Sequence, residues 1–175
     1  MSAGLWIGRE TYDGAAKRWL ATAGRHYLEN PPPGCLYAVG VRAGTPGLFG
    51  EVVGSGELLG LCVIGRPIAR RLPQDGSWGE VVRFALVNGL PHGTASAVLH
   101  RAWEIARARQ RPQTIIAYHD RSRHTGCIYR KAGMRKAGRA NAKGHSSWGS
   151  RDGRKSADYL ATPKRRWRID LVPAP

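Results

Sequence analysis

An α/β fold, a mixed sheet flanked by helices, is predicted by three features of this 175-residue sequence. Between residues 35 and 87 three short apolar stretches follow one another, each bounded by Gly, Pro or Asp-Gly turn signals. Residues 95–109 then repeat apolar side chains at helical spacing. Beyond them stand a β-branched run, "TIIAY", and near the end an alternating one, "RRWRIDLV". Strands that first succeed one another and are then separated by helices make a sheet with antiparallel and parallel parts. The length, with 42% hydrophobic residues, suits one domain over 1–175 that buries roughly two-thirds of the unfolded chain's surface.

Taken in order, residues 10–28 place Tyr12, Ala16, Trp19, Ala23 and Tyr27 three and four apart, which predicts an amphipathic helix ended by "NPPPG". "CLYAVGVR" (35–42), "ELLGLCVIGRPI" (57–68) and "WGEVVRFALV" (78–87) read as strands of an antiparallel meander. Thr94 is the expected N-cap of a helix over 95–109 whose stripe is Val98, Leu99, Ala102, Ile105 and Ala106. "TIIAY" (114–118) has the composition of a buried strand. A short helix near 125–132 is expected to end at Gly133, where a left-handed turn is easy. Residues 165–172 read as a last strand, and 138–163, rich in Gly, Ser and charge, as a long loop or lid.

The net charge is +16. Residues 1–100 carry nine Lys+Arg against seven Asp+Glu, whereas residues 101–175 carry nineteen against five. A chain this basic attracts polyanions, and the second half is expected to build the surface that meets them. No apolar run approaches the ~20 residues of a membrane span, and the N-terminus lacks the pattern of a secretory signal, so a soluble, cytoplasmic protein is expected. Cys35, Cys62 and Cys127 form no CxxC pair, which points to free thiols rather than a disulfide framework or a zinc ribbon.

The residues able to carry chemistry cluster at two strand ends. Alternation along "EVVRFALV" puts Glu80, Val82, Phe84 and Leu86 on one side and Val81, Arg83, Ala85 and Val87 on the other. Arg83 then stands among apolar residues, either as a salt-bridged structural group or as a fork of donors for an anionic or carbonyl group. Ser96 lies in the first turn of the long helix. In "YHDRSRHTGCIYRKAG" (118–133), Asp120 follows a buried strand at the end where α/β proteins place ligands. It suits a base or an orienting group for an amine, and equally an Asx turn or N-cap. Tyr129 is either a phenolic proton donor or a core aromatic. His26 and Tyr27 end the first helix. His26, Asp120 and His124 form a two-His-one-carboxylate set that suits a metal by type, although the spacing is not close.

The element order resembles the GCN5-related N-acetyltransferase fold, in which the strands before and after the long helix splay apart and open a cleft. The resemblance implies that "NGLPHGTAS" stands where those enzymes carry a Gln/Arg-x-x-Gly-x-Gly/Ala loop for the coenzyme A pyrophosphate, so Gly93, Thr94 and Ser96 are its candidate contacts. "HYLENPPPG", "GLCVIGRPIARRL", "EVVRFAL" and the His-Thr-Gly-x-Ile-Tyr core of 124–129 together resemble the Mom family of phage DNA modification proteins. That resemblance implies an active site of His26, Tyr27, Arg83, Ser96, Asp120 and Tyr129, with His124 in support. It implies conversion of adenine N6 in DNA to N6-carbamoylmethyladenine, with acetyl-CoA or glycyl-tRNA as donor and iron as a proposed metal.

The base must leave a double-stranded DNA stack to react, and aromatic side chains offset the unstacking at roughly 1–3 kcal/mol per base. Tyr27, Trp148, Tyr159 and Trp167 are candidates for that platform, Trp167 equally for core packing. Arg121, Arg123, Arg130, Lys131, Lys164, Arg165 and Arg166 are candidates for the phosphates. The alternatives are an acetyl-CoA-dependent N-acetyltransferase acting on aminoacyl-tRNA or a basic protein, and a DNA-binding protein without catalysis.

Overall fold

The computed structural model describes residues 4–22, 32, 34–46, 52–53, 56–140 and 164–171. In chain order the elements are β1 (Gly4–Glu10), α1 (Gly14–Ala21), β2 (Tyr37–Pro46), β3 (Val52–Val53), β4 (Leu58–Gly65), β5 (Trp78–Leu86), α2 (Thr94–Ala108), β6 (Thr114–Asp120), α3 (Cys127–Lys131), β7 (Arg135–Ala140) and β8 (Lys164–Asp170). One sheet runs in the order β1-β2-β4-β5-β6-β8-β7, with β3 paired to β2 off this path. The pairs are antiparallel except β5 with β6. The long helix α2 is the crossover that the parallel pair requires. No described helix is long and apolar enough to cross a membrane.

Each face of the sheet has its own core. On one face α2 sets Val98, Leu99, Ala102, Trp103 and Ala106 against Val39, Val41, Cys62, Ile64 and Ile115. Trp103 is fully buried, and its indole N–H donates to the Ala132 carbonyl at 2.9 Å, tying α2 to the end of α3. The Tyr37 hydroxyl donates to the Ala102 carbonyl at 2.9 Å from the sheet side. On the opposite face Ala16 and Leu20 of α1 pack on Ala38, Leu61, Val63 and Ala85.

The ends of the elements depart from expectation where pairing overrides local pattern. The first helix is shorter than 10–28. Glu10 belongs to β1, which pairs with β2 over seven positions from Gly4↔Gly44 to Glu10↔Ala38. Asp13 then starts α1 by accepting the Ala16 amide at 2.9 Å, which satisfies one of the four orphan donors of a helix start. Thr94 is not the N-cap of α2. Gly93 is, in a left-handed conformation (φ 95°), and the Thr94 hydroxyl donates back to the Pro91 carbonyl at 2.7 Å. Part of the expected loop 138–163 is strand, because β7 runs to Ala140 and pairs with β8; residues 141–163 lie outside the described set.

Trp103→Ala is expected to cost about 3–5 kcal/mol, the loss of a fully buried indole together with an unpaired Ala132 carbonyl. Urea unfolding measures it, and a loss below about 1 kcal/mol, the size of an average substitution, would contradict the role given to this side chain.

Candidate active site

Parallel pairing between β5 and β6 covers only Trp78–Val81 against Thr114–Ala117. Past Val81 and Ala117 the strands diverge and open a cleft of about 680 Å³ between Val82–Leu86, Tyr118–Asp120 and the segment from Arg123 to Tyr129. Volumes of this order hold small-molecule ligands.

A bulge decides which side chains enter. Val63 lies opposite Arg83 but Ile64 lies opposite Val81, so Val82 is an extra residue in β5. The simple alternation expected for this strand is therefore broken at Val82. Val81, Phe84 and Leu86 pack on the α2 side, whereas Val82 and Ala85 pack on the α1 side. Arg83, two residues before Ala85, goes with the α1 side instead of with Val81. It is half-buried there, donates from Nη1 to the Val82 carbonyl at 2.7 Å, and is close enough to Tyr12 to oppose the upward push of burial on that phenol, which still reaches about 12.

Asp120 ends β6 at 2% exposure. Its Oδ1 accepts the Ser122 amide at 2.8 Å and the Ser122 hydroxyl at 2.6 Å, and Oδ2 lies 3.7 Å from Arg123 Nε. Asp120 therefore closes an Asx turn, and it also lines the cleft. Tyr129 lies in α3, buried but lining the cleft, with its ring 5.9 Å from Trp167 and 6.1 Å from His119. Trp167 is a core residue at 3% exposure, not a platform open to a base.

His119 had no place in the sequence reading. Its Nδ1 accepts the Trp167 indole N–H at 2.6 Å, which leaves the ring proton of the neutral form on Nε2. Burial, aided by His124, Arg165 and Arg121, holds its pKa below the ordinary histidine value. Gly126 stands against this pair with φ 74°, and a β-carbon there would come within 2.7 Å of His119 Cε1 and 2.8 Å of Trp167. No motif marks His119. The signal was its adjacency to Asp120 on a buried strand, which puts it on the opposite face.

Ser96 is not in the Asp120 cleft. Its hydroxyl donates to the Gly93 carbonyl at 2.9 Å, and with Gly93, Thr94 and Lys131 it lines an adjoining groove of about 360 Å³. The groove and the cleft share Leu86, Cys127 and Ile128. First-turn amides of α2, the open backbone at Gly93, where a β-carbon would meet nothing, and the Lys131 ammonium form a setting that fits a pyrophosphate.

The cations divide into groups. Arg121 and Arg165 join Lys136, His124 and Thr125 around a pocket of about 240 Å³ on the far side of His119, and no carboxylate among the described residues lines it. Arg123, Arg130 and Lys131 are exposed. Arg166 is held on the neighbouring strand β7: Nε and Nη2 donate to the Ala137 carbonyl at 3.0 and 2.8 Å. Lys164 lies opposite Asp120 in register. It is half-buried, its pKa is lowered by burial, and Asp120 and Glu80 pull it back up. Lys164 thus belongs to the acidic side of the site more than to a phosphate surface. Glu80 is 5% exposed, and burial pushes its carboxyl above the ordinary value against the Ile68 amide, Lys164 and Arg83.

His26, Tyr27, Trp148 and Tyr159 lie outside the described residues. Among the described residues no cluster of His, Cys, Asp and Glu could hold a metal. The carboxylate expected to join one, Asp120, turns Oδ1 to Ser122 and Oδ2 toward the Arg123 guanidinium. The described members of the expected set, Asp120 and His124, do not fit an iron centre.

No protein-family model matches the sequence, and no curated protein matches it. Solved structures do. An acetyltransferase of the GNAT family from Desulfovibrio desulfuricans aligns at TM-score 0.61 and 12% identity over 97% of this chain and 100% of that one. The ribosomal-protein-S18-alanine N-acetyltransferase of Escherichia coli aligns at 0.61 and 9% over 98% and 97%. A Bacillus subtilis acetyltransferase in complex with CoA aligns at 0.57 and 18% over 97% and 100%. At such identities the likeness speaks for architecture: this chain has the mixed, splayed-sheet fold of the GNAT acetyltransferases.

Proposed function

We propose that the protein is a transferase acting on an exocyclic amine of a nucleic-acid base, and that its reaction is the Mom-type conversion of adenine N6 in double-stranded DNA to N6-carbamoylmethyladenine. The supporting observation is that Arg83, Asp120 and Tyr129, residues from three separate elements, line one cleft beside a pocket of cations that no carboxylate among the described residues lines. Polyanion attraction and amine chemistry thus meet in one place.

In the reaction the amine nitrogen forms one bond to the methylene carbon of a donor of the form X-CH2-C(=O)NH2 and gives up one proton, while the leaving group X departs with its bonding pair and takes up a proton. Asp120, its carboxylate held at a fixed angle by Ser122, orients the amine and accepts its proton. Arg83 holds the donor's carboxamide oxygen through its fork of donors. Tyr129 gives its phenolic proton to the leaving group. A duplex base reaches this cleft only when flipped out.

Gly93, Thr94, Ser96 and Lys131 are the residues that would hold a coenzyme A pyrophosphate, and acetyl-CoA supplies an acyl thioester as electrophile when bound. That groove and the structural likeness favour a second reading, an acetyl-CoA-dependent N-acetyltransferase. A charge of +16 repels a basic protein and suits aminoacyl-tRNA, so the second reading takes tRNA as substrate. Glycyl-tRNA fits the same charge, but acyl transfer from its ester gives N6-glycyladenine, an isomer of the carbamoylmethyl product.

Coexpression with a plasmid, followed by mass spectrometry of the nucleosides, is expected to reveal an adenine enlarged by a carbamoylmethyl group. Asp120→Asn and Tyr129→Phe are each expected to lower its yield by about 10²–10⁴-fold, the usual worth of a proton-transfer group, with the thermal melt retained. Full modification by both variants would remove these residues from the chemistry. Protection of plasmid from restriction with no altered nucleoside would favour a non-catalytic DNA-binding protein.

Calorimetry with acetyl-CoA separates the second reading. It expects saturable binding that Lys131→Gln weakens about tenfold, the worth of one charge-assisted hydrogen bond, together with acetylated tRNA and unaltered adenine.

A further inference from the structure

Among the described residues Ile68 is the exposed large hydrophobic side chain, at 71% exposure. Single exposed apolar residues are ordinary on protein surfaces, but the way this one is held is not. The segment 66–72, Arg-Pro-Ile-Ala-Arg-Arg-Leu, joins β4 to the turn before β5. The Gln74 amide donates to the carbonyls of Pro67, Ala69 and Leu72 at 3.1, 3.3 and 3.1 Å, and the Leu72 amide donates to the Ala69 carbonyl at 2.9 Å. The Ile68 amide itself donates to Oε2 of buried Glu80 at 2.9 Å. That carboxylate stands three residues before Arg83 on β5 and is within reach of the charges of Arg83 and Lys164. The tip is therefore fixed to the strand that forms one wall of the cleft.

Burying a carboxylate to brace the backbone of an exposed isoleucine is costly if the side chain has no use. Around it, Arg66, Arg70 and Arg71 are exposed, and 66–72 contains no acid. A rigid apolar point among cations matches a stack of bases between two phosphate strands. Minor-groove and DNA-bending proteins insert side chains of this kind between base steps.

We propose that Ile68 is a wedge that enters the duplex stack beside the target base and fills the gap that opens when the base turns into the cleft, while the arginines of the same segment meet the flanking phosphates. The inference rests on the nucleic-acid reading above and adds to it the residue that deals with double-stranded substrate.

The test is fluorescence anisotropy of the full chain with a paired duplex, with the same duplex carrying a central abasic gap, and with the single strand. Ile68→Ala is expected to weaken the paired duplex about tenfold more than the single strand, in line with the loss of one buried aliphatic side chain, with less loss on the gapped duplex. Ile68→Leu restores most of the affinity, and Arg70→Gln weakens all three probes alike. The exposed position leaves the thermal melt of Ile68→Ala unchanged. Equal weakening of duplex and single strand by Ile68→Ala, or none, overturns the wedge while leaving the nucleic-acid reading intact. A wild-type chain that binds neither DNA overturns both. Ile68-dependent binding to phosphatidylglycerol vesicles without such dependence on duplex reassigns the tip to an anionic membrane surface and overturns the proposal.

Discussion

The site depends on an interruption in hydrogen bonding. β5 and β6 pair in parallel for four residues and then part, so the backbone groups that would have joined them face a cleft. Buried peptide groups need partners, and the first of them finds one locally: the Val82 carbonyl, at the bulge, accepts from the Arg83 guanidinium. One irregularity thus opens the hollow, turns Arg83 toward α1, and fixes its side chain by the same carbonyl that the bulge displaced. On the other strand the divergence leaves Asp120 at a strand end, where Ser122 closes a turn on its carboxylate.

Electrostatics then separates the two faces of β6. Asp120 and Glu80 act on Lys164 on one face, an acidic arrangement inside a strongly basic chain. On the other, burial and the cations near His119 hold its pKa below the ordinary histidine value, and Trp167 sets the tautomer of its neutral form. An amine suits the first environment and a phosphate the second. The basic composition of the last 75 residues is therefore not spread evenly over the surface. Among the described residues part of it is tied to the sheet itself, with Arg166 on the Ala137 carbonyl and Lys164 opposite Asp120.

Much of this architecture was legible in the sequence because hydrophobic periodicity and turn residues report local structure. The meander, α2 with its stripe, and the buried strand ending at Asp120 all carry such signals. What was hidden depends on pairing at a distance. β1 has two glycines and little alternation, and it is a strand because β2 lies beside it. The facing of Arg83 could not be read from "EVVRFALV", since a single inserted residue reverses every later side chain. No motif marks His119, and Lys164 reads as a phosphate contact from its basic surroundings; register across β6 and β8 instead sets them beside Trp167 and Asp120. Ser96 was read as close to Asp120, whereas the intervening Cys127 and Ile128 divide the hollow in two.

Gly126 fixes the bore of this site through an atom that it lacks. Its backbone lies so near His119 and Trp167 that a single methyl would collide with both rings. Any larger residue must push α3 outward, and Tyr129 travels with that helix, so the clearance between Tyr129 and the β5 wall is gauged by one missing carbon. The width of the cleft is therefore set by a wall residue whose side chain is a single hydrogen, and a larger one there would change that width before it altered Asp120 or Arg83.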